Sequence, residues 1–156
     1  MIGDIILQKR SGTLGKIVSF FTRSEYVHCG IELADDVVVH VYPWKGQLFT
    51  PIAEWEAESE ITRLTPIIPL TDLQLNNLRW VIGAMVVRGY DWWSAVRSWF
   101  WKSTNDQKYT GKYYTCSEYV SCIYREGVGI DLVPNCSDDS TQPHMFVDSS
   151  YLKEVE

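Results

Sequence analysis

The run Thr115-Cys116-Ser117-Glu118 carries the strongest chemical signal in the chain. Its T-x-x-E spacing is a capping box, in which the threonine hydroxyl accepts from the N–H three residues on and the glutamate reaches back to the threonine N–H. A helix is therefore expected to begin at Cys116. A thiol at the first helical position faces N–H groups that have no intrahelical partner, and the positive end of the macrodipole. Both favour the thiolate. The same N–H groups suit an oxyanion formed beside the sulfur. The competing reading is plainer, because most free cysteines are small buried hydrophobes.

Two of the three histidines, His28 and His40, interrupt adjacent β-branched runs. In the first run Val27, Cys29, Ile31 and Leu33 alternate with His28, Gly30 and Glu32; the second is VVVHVY, Val37 to Tyr42. A turn with an odd number of residues, such as Ala34-Asp35-Asp36, would put both imidazoles on one face. They would be direct or diagonal neighbours, about 4.5–8 Å apart at Cβ. One imidazole could then orient the other, the part a third polar group plays beside a Cys–His pair. A pair of half-exposed strand histidines satisfies the same spacing.

The remaining candidates divide by position. Cys29 points away from the His28 face and is expected in the core, Cys122 occupies another helical face from Cys116, and His144 sits in a proline-containing tail and is expected to be incidental. Glu32 shares the His28 face, either as a substitute orienting group or as a solvated strand carboxylate. Cys116, His28 and His40 are all ligand types for Zn²⁺. With no HxH, HExxH or CxxC spacing, neither a metal nor a cofactor is expected.

These side chains need elements to position them. Asp4–Gln8 reads as a strand, and 11–22 as a short helix with Leu14, Ile17, Val18 and Phe21 on one face. The runs around His28 and His40 form a hairpin, and Gln47–Thr50, ended by Pro51, and Glu60–Leu64 read as further strands. A second capping box, Thr71 to Gln74, opens a helix carrying Leu75, Leu78, Ile82 and Met85, with Gly89 as its C-cap. Asp91 opens a tryptophan-rich helix, DWWSAVRSWFW, with Trp92, Trp93, Ala95, Val96, Trp99 and Phe100 on an arc of roughly 160°. Residues 103–112 read as a loop, Gly127 as the stop of the Cys116 helix, and the tail as mostly irregular. Strands followed by helices indicate an α+β fold.

Composition bounds the function. A chain of 156 residues, 46% hydrophobic and 22% charged, suits one soluble domain spanning 1–156. The net charge of −6, with scattered Lys and Arg, argues against nucleic acid. Neither a secretory signal nor an apolar run long enough to span a bilayer is visible, so the cytoplasm and reduced thiols are expected. Oligomeric state leaves no trace in the sequence.

The motifs G-D-I-I-L at Gly3–Leu7, S-E-Y-V-H-C-G-I-E-L at Ser24–Leu33 and Y-T-C-S-E-Y-V at Tyr114–Val120 resemble the permuted papain-like amidases, the YaeF/YiiX branch of the NlpC/P60 superfamily. The resemblance runs in order along nearly the whole chain. It implies a circularly permuted papain-like fold, with an antiparallel sheet or partial barrel packed against helices. It further implies Cys116 as nucleophile, His28 as general base and His40 as the third, polar member. The expected activity is that of a cysteine hydrolase cleaving an amide bond in a small peptide, amide or acyl substrate through an acyl-enzyme. Two alternatives stay open. One is a lipid acyl hydrolase or acyltransferase of the lecithin:retinol acyltransferase-like type, with the tryptophan-rich helix meeting lipid or membrane. The other is a non-catalytic binding module on the same fold.

Overall fold

The computed structural model describes residues 1–9, 24–42, 45–85, 89–90 and 113–155. Six strands form one antiparallel sheet in the order β4-β3-β2-β1-β5-β8. They are β1 (Ile5–Lys9), β2 (Tyr26–Ala34), β3 (Val37–Tyr42), β4 (Gly46–Pro51), β5 (Ile61–Pro66) and β8 (Leu152–Val155). Helix α1 (Ile52–Glu58) follows β4, α2 (Asp72–Ala84) follows β5, and α3 (Cys116–Ile123) precedes a π turn at Tyr124–Val128. Gly89–Tyr90 (β6) and Tyr113–Tyr114 (β7) pair in parallel. The expected helices over 11–22 and 91–101 and the loop over 103–112 lie outside the described residues.

Strand alternation sorts the core onto two sides of the sheet. Ile5 and Leu7 of β1, Cys29 and Ile31 of β2, and Val39 and Val41 of β3 join Leu78, Val81 and Ile82 of α2 and Cys116, Tyr119, Val120 and Ile123 of α3. Ile6 and Val38 meet Ile52 and Trp55 of α1 in a smaller cluster. Each fully buried Ile, Leu or Val contributes about 1.5–3 kcal/mol. The larger cluster therefore anchors α3, and with it Cys116, to β2.

Both capping boxes form. At α2 the Thr71 hydroxyl accepts from the Gln74 N–H at 3.3 Å and Gln74 Oε1 accepts from the Thr71 N–H at 3.0 Å. At α3 the matching distances for Thr115 and Glu118 are 3.2 and 3.0 Å.

Four local expectations need correction. Helix α2 ends at Ala84, with Met85 as C-cap, rather than at Gly89, which lies in β6. The β-branched pair Val86-Val87 follows directly, a poor continuation for a helix. Gly127 does not stop α3; it lies within the π turn, and Gly129 makes the left-handed exit at φ 78°. A Cβ on Gly127 would stand 2.9 Å from Leu78 Cα, so this glycine allows the backbones to approach. Ile52–Glu58, unassigned from sequence, is α1, and the tail carries β8, which pairs with β5.

The fourth correction matters most for the site. The β2–β3 turn is Asp35-Asp36, two residues rather than three, with Asp36 at φ 63°. An even turn alone would place His28 and His40 on opposite faces. A bulge shifts the register between the pairs Ala34↔Val37 and Glu32↔Val38. The extra residue, Leu33, restores the parity that brings the two histidines to one face.

Candidate active site

His28 and His40 sit on neighbouring strands, both buried, at diagonal positions of the hairpin. Their rings meet edge to face with centroids 5.0 Å apart, and His28 Nε2 lies 2.9 Å from His40 Nδ1. Gly30 stands opposite His40, and a Cβ there would come within 2.5 Å of Val38 Cγ1 and 3.0 Å of His40 Cβ. Glycine at that position is therefore what lets the strands close around the pair.

The line continues onto β4, where His40 Nε2 lies 2.9 Å from Thr50 Oγ1. Trp55 of α1 covers both imidazoles, tilted on His28 at 5.2 Å and perpendicular to His40 at 4.9 Å. Such a cover keeps water from the bond between the rings, where a lower local dielectric strengthens it. Burial, with the charges of His28 and Lys45 adding to it, pushes the His40 imidazole down to about 3. His40 is thus neutral at any working pH and can accept from His28.

Cys116 opens α3 and is buried. A hydrogen bond from the Cys29 side chain does most to hold its thiol well below the ordinary range. The charge of His28 and a hydrogen bond with that imidazole act in the same direction, against the cost of burial. Cys29 moves the other way: burial foremost, then its bond with Cys116, raises its thiol. The two thiols are thus shifted in opposite directions. The β2–β3 ladder ends at Ile31, so the stretch of β2 bearing His28 and Cys29 has no ladder pair with β3 among the described residues. Helix α3 packs against both strands.

Cys116, His28 and His40 are thus brought together from three separate elements. Cys29 is in the core, as its parity implies, and also touches Cys116. Cys122 is buried on α3, and burial drives its thiol up to about 11. His144 lies on a 3₁₀ turn and lines a cavity of about 380 Å³ with Cys136 and Asp148. None of the four cysteines forms a disulfide. Glu32 is committed elsewhere: its carboxylate takes the Met1 ammonium at 2.9 Å and the Arg63 guanidinium, beside the buried Asp4.

Three contributors escaped the sequence reading. Thr50 and Cys29 fall on recognised strands, but their partners depend on register. Trp55 lies in a run whose helical signal is one apolar pair, Ile52 and Trp55, behind Pro51.

No family model and no curated protein matches the sequence. Among solved structures the fold resembles the metalloprotein YiiX of Escherichia coli O157:H7. The TM-score is 0.67, over 100% of this chain and 96% of that one, at 17% identity. The chain has a YiiX-like fold. At that identity the likeness extends to the fold alone, and it agrees with the mixed α+β architecture and antiparallel sheet expected from sequence. No described helix is long and apolar enough to cross a membrane.

Proposed function

We propose that this chain is a cysteine hydrolase, a circularly permuted papain-like amidase in one domain. Cys116 is its nucleophile, His28 its general base and His40 the group that orients the base. One observation carries the reading: His28 Nε2 lies 2.9 Å from the Nδ1 of a neutral His40, and the same imidazole acts with Cys29 to hold down the thiol at the head of a capped helix.

The Cys116 sulfur attacks an amide carbonyl carbon, and the developing oxyanion meets the first-turn N–H groups of α3. The thiol proton held by His28 passes to the leaving nitrogen as the C–N bond breaks. Water, giving a proton to the same imidazole, then releases the acid from the acyl-enzyme and regenerates the thiol.

YiiX is described as a metalloprotein. The donors of this site do not fit a metal ion, because the facing ring nitrogens of His28 and His40 bond each other at 2.9 Å and leave no room between them. Among the described residues no group of three or more His, Cys, Asp or Glu is arranged to hold one. The tryptophan-rich segment, on which the lipid reading depends, lies outside the described residues.

A panel of thiol-reactive acyl and peptide probes tests the proposal. Wild type is expected to label at Cys116 at neutral pH, Cys116→Ala to lose that label, and His28→Ala to acylate about 100-fold more slowly. Equal rates in wild type and His28→Ala would reject the assignment.

A further inference from the structure

His28, His40 and Thr50 occupy three consecutive strands, β2, β3 and β4, and their polar atoms form a chain with two links of 2.9 Å. A chain of two imidazoles has a direction, and the hydroxyl at its far end can serve either one, as acceptor or as donor. We infer that Thr50 is a positioning residue of this site: by accepting the Nε2–H of His40 it supports both rings in the tautomers that leave His28 Nδ1 open to the Cys116 proton. The inference rests on the hydrolase reading for its consequence, though not for its geometry.

A neutral imidazole carries one N–H. His40 is kept neutral by its burial, under Trp55 and beside His28, Tyr42 and Lys45, the charged or aromatic groups that face it from α1, β2 and the β3–β4 corner. If its proton is on Nε2, Thr50 accepts it and His40 Nδ1 offers a lone pair to the Nε2–H of His28. The Nδ1 of His28 is then basic. If the proton is on Nδ1, the Thr50 hydroxyl donates to His40 Nε2 instead, His28 must accept at its own Nε2, and its proton moves to Nδ1, the nitrogen left for Cys116.

Only the first arrangement lets His28 become doubly protonated. In the second, imidazolium formation would set two N–H groups head-on across 2.9 Å. Without an oxygen at position 50, the Nε2–H of His40 loses its acceptor, whereas the other tautomer loses only a donor to a lone pair. The difference corresponds to roughly a 10-fold shift in the tautomer ratio.

Thr50→Val keeps the β-branched shape on an edge strand and removes the acceptor; Thr50→Ser restores an oxygen. Two readouts apply: imidazole ¹⁵N shifts, which separate Nε2–H from Nδ1–H, and the pH profile of Cys116 alkylation by iodoacetamide. The expected result is His40 as the Nε2–H tautomer in wild type and in Thr50→Ser. Thr50→Val should lose that preference and alkylate Cys116 about 10-fold more slowly at neutral pH. A wild-type His40 protonated on Nδ1, or a Thr50→Val protein unchanged in tautomer and rate, would overturn the inference. The two ideas fail separately. A His28→Ala protein that alkylates like wild type removes the hydrolase reading, while a His28-dependent rate indifferent to Thr50→Val removes only the role of Thr50.

Discussion

Helices α2 and α3 begin with the same device and end in different chemistry. Each has a threonine N-cap and a reciprocal side chain three residues on, with both bonds made. At α2 the cap is exposed and the first helical residue is Asp72, a carboxylate that suits the positive helix end in water. At α3 Thr115 and Glu118 are buried, the first residue is Cys116, and the helix end is aimed at the strand bearing Cys29 and His28. The local code for starting a helix is therefore neutral with respect to function. What separates the two ends is the surface each one faces.

The sharpest way to break this comparison is to move the thiol. In a Cys116→Ala background, Asp72→Cys places a sulfur at the head of α2, with the dipole and free N–H groups but no paired imidazole. Acylation by an amide probe that labels wild type should be at least about 100-fold slower there, because general-base assistance is missing. Equal rates, read by intact-protein mass spectrometry, would mean that a helix end alone suffices.

Deleting each cap should give a smaller contrast. Thr115→Ala leaves a buried Glu118 N–H without its acceptor and should cost about 2 kcal/mol, against about 0.5–1 kcal/mol for Thr71→Ala at the exposed end. Urea midpoints at constant m measure both, and equal losses would deny the difference in burial.

The finest distinction lies in pH. Cys116 is held below the ordinary thiol range, so its thiolate persists as pH falls and is lost only when pH passes through the depressed value. Cys29→Ala removes the leading cause, and the loss of alkylation should move to higher pH. Cys29→Ser, which keeps a donor, should move it less. A profile unmoved in Cys29→Ala would show that His28 and the helix end do the work without the second thiol.

Sequence alone carried what is written within a few residues. The T-x-x-Q and T-x-x-E boxes placed two helix starts, and alternation in VHCGIEL and VVVHVY gave the strands and sent Cys29 to the core. The ends of elements were less legible. Gly89 and Gly127 both look like stops, yet one pairs in a strand and the other opens space for Leu78. Glycine serves turns and close approaches alike, and only the neighbouring backbone says which.

Capping and alternation are i to i+3 and i to i+2 rules, enforced by the reach of a side chain and the pleat of a strand, so they could be read before any fold existed. Tertiary structure decided the rest. A single bulge at Leu33 put two imidazoles on one face, Thr50 and Trp55 closed around His40, and Cys29 met Cys116 across the sheet–helix interface. Each of those contacts depends on register and packing summed over distant segments. A one-residue slip reverses every side chain of a strand, and no local pattern encodes the slip.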